Sequence, residues 1–130
     1  MLKYQPKLGS IVKCNFNGYI VPEIVKCRPA VVINVHKTNS KLVTVVPISS
    51  TEPSSIDYYH YELDLASENS VALYLPPDTK RWFKCDLVYV VSIDRMDRYK
   101  NRETKERGVP CVSVKTLKTI KEMVRLANGL

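Results

Sequence analysis

The sequence has few of the residues and spacings that mark common catalytic and metal sites. Its four cysteines form no Cys-x-x-Cys pair and it has only two histidines, so we expect no zinc site. It contains no glycine-rich phosphate loop, no nucleophile elbow and no paired-histidine motif. These absences argue against the commonest nucleotide-binding, serine-hydrolase and zinc-peptidase chemistries. We therefore expect no metal and no cofactor.

Long apolar runs are also missing. The longest one is far shorter than a membrane span, and no charged-then-apolar leader opens the chain. The sequence therefore predicts a cytoplasmic protein without a membrane partner. The sequence has 130 residues, of which 45% are hydrophobic, and it contains no internal repeat. We therefore expect residues 1–130 to form a single domain with its own hydrophobic core.

Charge is distributed unevenly along the chain, whose net charge is +7. Residues 1–50 carry seven Lys/Arg and one acid, residues 51–79 carry six acids and no Lys/Arg, and residues 80–130 carry thirteen Lys/Arg and six acids. Two basic segments around an acidic insert favour a polyanionic ligand on one surface. The alternative is that the segments interleave in space and their charges average out.

The strongest strand signals lie in the first half of the chain. Its two apolar, β-branched runs are residues 30–35 and 42–50. A polar turn separates them, which is typical of a hairpin of two buried strands. Arg28 stands before the first run, and Ser49 and Ser50 end the second. In a hairpin these ends lie side by side, so a fixed cation would face two hydroxyls at one rim, a suitable place for phosphate chemistry.

Alternation of apolar and polar residues predicts further strands. These are residues 10–16, 58–65, 71–75 and 82–93. Tyr58 and His60 share the polar face of the second, where Tyr58 can stack on a base and His60 can contact a nucleic acid. Residues 94–108 are highly charged and are predicted to be a solvated loop.

The C-terminal segment carries the one clear helix signal. Leu117, Ile120, Val124 and Ala127 follow the spacing of one helix face, and Ser113 is the expected N-cap. About six short strands with a terminal helix indicate a mainly β fold, a small barrel-like domain with the helix packed on it. From the residues alone we expect a small basic β-barrel that binds nucleic acid.

Three blocks of the sequence resemble the MazF/PemK toxins, the ribonuclease halves of bacterial toxin–antitoxin pairs. The first block is Gly-Ser-Ile-Val at 9–12 with Glu23 and Arg-Pro-Ala-Val-Val-Ile at 28–33, the second is Val-Pro-Ile-Ser-Ser at 46–50, and the third is Lys-Cys-Asp at 84–86 with Val-Ser at 91–92 and Arg-Met at 95–96. Their order and spacing fit, and the resemblance covers most of the chain. It implies an SH3-like β-barrel of the PemK/MazF/CcdB type with a C-terminal helix, usually homodimeric.

The resemblance also implies an activity and its residues. Such toxins cleave single-stranded RNA at short sequence motifs without a metal: a 2′-hydroxyl attacks the adjacent phosphate, giving a 2′,3′-cyclic phosphate and a 5′-hydroxyl. The implied catalytic residues are Arg28 against the scissile phosphate, Ser49 and Ser50 as donors to its oxygens, Asp86 as general base, and Lys84 as acid or charge stabiliser. The implied RNA-binding residues are Glu23, Lys26, Tyr58, His60 and Arg95. A cognate antitoxin is the implied protein partner, and the complex of the two is expected to bind DNA.

Other interpretations of these residues stay open. Lys84 falls where relatives carry an arginine, and Pro22 where some carry a histidine. Arg28 can instead bond its own loop, the two serines can be turn residues, and Asp86 can pair with a neighbouring base. The alternative function is a non-catalytic binder on the same barrel, either a toxin that poisons DNA gyrase by contact or an RNA-binding module.

Overall fold

A computed structural model describes residues 1–21, 24, 26–55 and 60–130. The elements in these residues are β1 Ile11–Asn15, β2 Cys27–Val35, β3 Leu42–Ser49, β4 His60–Glu62, α1 Asn69–Ala72, β5 Trp82–Lys84, β6 Tyr89–Ser92, a 3₁₀ turn at Ile93–Arg95, β7 Met96–Asp97, β8 Tyr99–Lys100, β9 Arg107–Gly108 and α2 Val114–Ala127. The main sheet has the order β4-β5-β3-β2-β1-β7, with β6 also beside β3, and β8 and β9 form a separate hairpin.

Strand β3 is shared by two parts of the sheet. One edge pairs antiparallel with β2, while the other edge pairs first with β6 and then with β5. Strands β6 and β7 follow each other through the 3₁₀ turn but are not paired with each other. The mainly β class with a C-terminal helix is confirmed, whereas the sheet of the described residues stays open and does not close into the expected barrel.

Each face of the sheet is buried in its own core. In β3, Val46 and Ile48 face the first core, which both helices cover, and Val43 and Val45 face the second. Because successive residues of a strand point to opposite faces, a strand buried on both sides must be apolar throughout. This explains the near-continuous apolar runs of β2 and β3, and the predicted hairpin of buried strands is confirmed.

The strand predicted at 71–75 is wrong, because these residues belong to α1 and the turn after it. Val71 and Leu75 are both buried in the first core, and a spacing of four residues fits one face of a strand or of a helix. The backbone N–H of Leu75 donates to the carbonyl of Val71 at 2.9 Å, which is the helical pattern. Periodicity over so short a segment could not separate the two structures.

The single strand predicted at 82–93 is also wrong, because a turn divides it into β5 and β6. The N–H of Leu87 donates to the carbonyl of Lys84 at 2.9 Å and closes this turn. Cys85 is buried in the first core and Tyr89 in the second. In one straight strand these two side chains would share a face, so the chain must turn to place them in different cores.

The predicted solvated loop at 94–108 instead contains three strands of two residues each, β7, β8 and β9. Strand β7 pairs with β1, and Met96 is 1% exposed in the second core. Strands β8 and β9 form a hairpin whose charged side chains remain exposed. The high charge of this segment predicted a loop, and the buried residue Met96 that fixes it to the second core was missed.

The predicted C-terminal helix is confirmed as α2. The hydroxyl of Ser113 accepts from the N–H of Thr116 at 3.2 Å, which is the expected N-cap, and Ile120 and Val124 are buried in the first core. In the described part of the chain, neither helix has the length and apolar character needed to cross a membrane. Among the four free cysteines, Cys14 and Cys85 are buried, and Cys27 and Cys111 are exposed.

Candidate functional site

Strands β2 and β3 separate at one end of the sheet, which we call the fork. Their last register pair is Ala30 with Pro47. Beyond it, β2 remains paired with β1 and carries Arg28, while β3 continues beside β5 and carries Ser49. The two strands predicted to bring a cation and a hydroxyl to one rim therefore do end at the same place.

The register of the strands also defines which face these side chains share. Register partners point to the same face, as do residues two apart on one strand. Arg28 and Ser49 each lie two residues from the last β2–β3 pair, so they share its face. Lys84 lies two residues from the register partner of Ser49 and joins them. Arg28, Ser49 and Lys84 thus lie on one face of the fork, whereas Ser50 follows the last residue of β3 and has no register position.

A pocket opens on this face between β3, β5 and the loop 51–55. Its volume is about 470 Å³, and its lining includes Ser49, Glu52, His60 and Lys84. His60 and Lys84 are register partners, with the Lys84 Nζ 3.5 Å from the His60 Nε2. A neutral imidazole nitrogen can accept from an ammonium, so His60 can hold this cation in the pocket.

The guanidinium of Arg28 is half-buried, and it makes no hydrogen bond or ion pair with any residue that the structure describes. The hydroxyl of Ser49 accepts from the N–H of Thr51 at 3.1 Å, the turn contact considered from the sequence. A hydroxyl that accepts still has its own proton to donate. Ser50 is exposed beside it. Arg28 and the Ser49 hydroxyl can therefore both donate to an anion at the fork.

Asp86 lies in the turn that follows β5. Its Oδ1 is buried and has no hydrogen-bond partner in the described part of the chain, an arrangement that is normally costly. It forms no ion pair there with Lys84 or Arg95. Burial, with a smaller contribution from the charge of Asp86, raises the pKa of the neighbouring Cys85 thiol to about 12. Within the described residues the carboxylate is thus not used as a structural partner, and this leaves it available for a functional role.

The predicted RNA-binding residues are scattered. Arg95 donates to the carbonyls of Asn15 and Asn17 at 3.0 and 2.9 Å and lies 5.1 Å from the ring centre of Tyr19, so it fixes the turn after β1. Lys26 is exposed directly before β2. Glu23 and Tyr58, like Pro22, lie outside the described residues.

The sequence did not reveal that His60 and Lys84 are partners, because their contact depends on β4 pairing with β5 across more than twenty residues of chain. The only local signal was that both stand on the polar side of an alternating strand. Among the described residues, no group of three or more His, Cys, Asp or Glu side chains is placed to hold a metal ion.

Comparisons with known proteins agree with this fold. A model of the family described as PemK-like, MazF-like toxin of type II toxin–antitoxin system matches residues 7–126. The Escherichia coli (strain K12) protein YifN is 32% identical over an alignment of 113 residues, with a coverage of 75% for each chain. The crystal structure of MazF from Deinococcus radiodurans is similar with a TM-score of 0.66 at 16% identity, covering 98% of this chain and 100% of that one. An endoribonuclease in complex with its cognate antitoxin from a mycobacterial species is similar with a TM-score of 0.54 at 16% identity, covering 96% of each.

At these identities, the solved structures establish only a shared fold. The family match is more specific, because it spans nearly all of the chain and includes the fork, the β5 turn and most of α2. This protein therefore belongs to the PemK-like, MazF-like toxin family of type II toxin–antitoxin systems.

Proposed function

We propose that this toxin is a metal-independent endoribonuclease that cleaves single-stranded cytoplasmic RNA at short sequence motifs. In this reaction the 2′-hydroxyl 5′ to the scissile phosphate attacks that phosphate, giving a 2′,3′-cyclic phosphate and a 5′-hydroxyl. The nucleophile belongs to the substrate, so the protein must supply a phosphate clamp, a base and an acid. The observation that carries the proposal is that Arg28, Ser49 and Lys84 share one face of the fork.

Arg28 is the proposed phosphate clamp. Its planar fork of donors suits a phosphate that gains negative charge in the transition state, and its guanidinium has no competing partner among the described residues. The hydroxyls of Ser49 and Ser50 would donate to the non-bridging oxygens. Lys84 would donate to the leaving 5′ oxygen while His60 holds its ammonium in place.

Asp86 is the proposed general base for the attacking 2′-hydroxyl. The support is that Oδ1 has no partner among the described residues and that Asp86 is only half-buried, so its other carboxylate oxygen is open to a substrate. A carboxylate without a structural partner is a costly feature to retain without a role. The side chains proposed to contact flanking RNA remain Glu23, Lys26, Tyr58, His60 and Arg95, with Arg95 acting partly through the turn that it fixes.

The test is single-turnover cleavage of a short RNA in EDTA, compared with the same RNA carrying one 2′-deoxy nucleotide at the cleavage point. We expect cleavage of the first and none of the second, with a cyclic phosphate at the new end. Equal cutting of both would contradict 2′-hydroxyl attack. A protein that binds RNA or DNA gyrase without cutting any RNA would favour the non-catalytic alternative.

Arg28→Ala is expected to slow cleavage by about 10²–10³-fold, as for the loss of one oxyanion donor. Arg28→Lys is expected to recover only part of this rate, because an ammonium cannot present two parallel donors to one phosphate. Stability to urea should hardly change, since no described contact depends on the guanidinium. Lys37→Ala is the matched control, because Lys37 is an exposed base in the turn at the other end of the same hairpin. Full activity in Arg28→Ala would overturn the assignment.

The proposed assembly is a homodimer of one-domain chains that an acidic antitoxin segment inactivates by folding over the basic rim. The similarity to an endoribonuclease solved with its cognate antitoxin supports this partner. Charge complementarity predicts association that slows as salt is raised, measurable by stopped flow, and a rate indifferent to salt would contradict it. Sedimentation that showed only monomer at micromolar concentration would contradict the dimer.

A further inference from the structure

The segment 98–108, which we call the basic hairpin, is not part of the fork. It holds five Lys/Arg and two Glu, and all seven of these side chains are exposed. No residue of the basic hairpin takes part in an ion pair with the described residues. Arg107 is close enough to Asp97 to contribute to lowering the pKa of that carboxyl, which is lowered mainly by the backbone N–H of Arg98. The hairpin is therefore an exposed surface with an excess of positive charge.

Two of these cations are forced together by the strand register. Lys100 of β8 is the register partner of Arg107 of β9, so their side chains share one face at neighbouring positions. Like charges directly opposite each other on two strands are destabilising. Asp97 is the acid near Arg107, and it offsets this repulsion only in part because its own N-terminal and Lys13 neighbours are also cationic. Two like charges held at neighbouring positions on an exposed surface are typical of a surface that meets an anionic ligand. Arg98, directly before β8, adds a third exposed cation to this end of the hairpin.

The turn of the hairpin has a fixed shape. The Oδ1 of Asn101 accepts from the N–H groups of Glu103 and Thr104 at 2.9 and 3.1 Å. Lys105 adopts a left-handed φ of 66°, and its N–H donates to the carbonyl of Asn101 at 2.9 Å. The N–H of Arg102 donates to the carbonyl of Leu73 at 2.7 Å and ties the turn to the end of α1. A cationic surface that is already ordered loses less entropy when it binds.

The same turn forms a pocket of about 470 Å³ lined by Lys100, Asn101, Arg102 and Lys105. Asn101 is 9% exposed, and its amide NH₂ has no acceptor in the described part of the chain, although its oxygen is used twice. The pocket thus combines three cations with an amide donor that is open to solvent, although the Arg102 guanidinium also donates to the carbonyl of Ala72 and the Lys105 ammonium to that of Arg102. Such a set of donors without an acidic lining residue fits a phosphate group.

The position of the hairpin relates it to the fork. Cys14 of β1 is the register partner of both Arg28 on β2 and Met96 on β7, so Met96 lies about 10 Å from Arg28, two strand spacings across the sheet. The basic hairpin begins two residues after Met96. Arg28 shares the face of Ala30 and the second core, whereas Tyr99 of the hairpin packs against the first core, so an RNA that contacts both must pass around the β7 edge of the sheet.

We propose that the basic hairpin is a second RNA-binding site, which holds phosphates of single-stranded RNA flanking the nucleotide cleaved at the fork. This inference rests on the proposed function. The hairpin would contribute to affinity for long RNA and to its salt dependence, because phosphate contacts are independent of sequence. It would add nothing to the cleavage of an oligonucleotide too short to reach it.

The test uses the double variant Lys100→Gln/Arg107→Gln. The matched control is Lys118→Gln/Lys121→Gln, which removes the same charge from exposed positions on α2. Binding is measured by fluorescence anisotropy over a range of salt concentrations, with a labelled single-stranded RNA of about 20 nucleotides whose 2′-hydroxyls are replaced by fluorine to prevent cleavage. For the hairpin variant we expect several-fold weaker binding and a salt slope lower by about 1.4, which is two phosphate contacts at about 0.7 each. We expect its stability to urea to stay equal or to rise, since a like-charged pair is removed.

Equal losses of binding in the hairpin variant and the α2 control would overturn the proposal, and so would unchanged binding in both. A hairpin variant that keeps RNA binding but loses binding of a polyglutamate peptide would identify a surface for an acidic protein and would also overturn it. Failure of the proposed function is distinguished by cleavage, because in that case the unmodified protein cuts no RNA at all. If the function is correct, the hairpin variant cuts a short RNA at the normal rate and a long RNA less efficiently.

Discussion

Glu68 gives the sharpest test of how this fold is held together. It is 5% exposed at the start of α1, and its carboxylate accepts three hydrogen bonds from the start of α2. The donors are the Ser113 N–H and hydroxyl, both at 2.9 Å, and the Thr116 hydroxyl at 2.6 Å. No described cation forms an ion pair with it. The buried charge is therefore stabilised by neutral donors and by the positive end of the α2 dipole.

Glu68→Gln keeps the volume of the side chain but replaces one acceptor oxygen with an NH₂ group. Hydrogen bonds to a charged group contribute about 1.5–3 kcal/mol each and neutral ones about 1 kcal/mol, and one rotating hydroxyl can turn to accept from the new NH₂. We expect Glu68→Gln to lower the free energy of unfolding by about 1–3 kcal/mol. Glu68→Ala is expected to cost about 2–4 kcal/mol, because it leaves the N–H of Ser113 without its partner and opens a cavity.

The measurement is urea unfolding followed by circular dichroism, combined with a double-mutant cycle between Glu68→Gln and Ser113→Ala. A direct contact predicts a coupling energy of at least about 0.5 kcal/mol. Glu122→Gln is the control, since Glu122 lies on the solvent side of α2 in an exposed pair with Arg125, and its loss should change little. Unchanged stability in Glu68→Gln, or additive effects in the cycle, would refute the reasoning.

Two further predictions concern the β5 turn and the buried thiols. Asp86→Asn is expected to leave the stability to unfolding equal or higher, since it removes a charge whose buried oxygen has no described partner. The same variant is expected to slow single-turnover cleavage by about 10²-fold or more. A loss of stability in parallel with the loss of cleavage would contradict the role of Asp86 as the base. Burial raises the pKa of the Cys14 and Cys85 thiols from 9.0 to about 12. A folded pKa above the unfolded one stabilises the protein below the unfolded value, so stability should fall as pH rises from about 9 toward 12. At pH 8 a thiol reagent should modify the two exposed cysteines first, and all four reacting at one rate would contradict the burial.

The parts of this fold that the sequence predicted are those that depend on local patterns. The β2–β3 hairpin has two apolar runs and a polar turn, and α2 has its Ser113 cap and its one-sided apolar face, so each is readable within about fifteen residues. The parts that were missed depend on distant partners. The spacing of Val71 and Leu75 fits both a strand and a helix. The turn after Lys84 is needed because Cys85 enters the first core and Tyr89 the second.

In the candidate site, too, the sequence predicted the features that depend on local patterns and missed those that depend on distant partners. That Arg28 and Ser49 end at one rim followed from a hairpin, which is local, and the structure places both on one face of the fork. The contact of Lys84 with His60 requires β4 to lie beside β5, and the position of Asp86 requires the turn that divides the predicted strand. Arg95 was expected to contact RNA, but its guanidinium donates to two carbonyls of the turn after β1, a contact that depends on the register of β7 with β1.

The pairing of β1 with β7 has a consequence for the order in which the parts of this protein can fold. Lys13 of β1 is the register partner of Asp97 of β7, and the N–H of Leu2 donates to the carbonyl of Met96 at 2.8 Å. The amino-terminal segment is therefore held in place by residues that come much later in the chain. Because such distant contacts close long loops, they form slowly and only once the later segment is available. A chain that stops before Met96 should lack an ordered second core, which the absence of cooperative unfolding in a 1–95 fragment would demonstrate. Arg28 lies on the strand beside β1, so the position of this proposed phosphate clamp becomes fixed only when β7, far along the chain, has paired with β1.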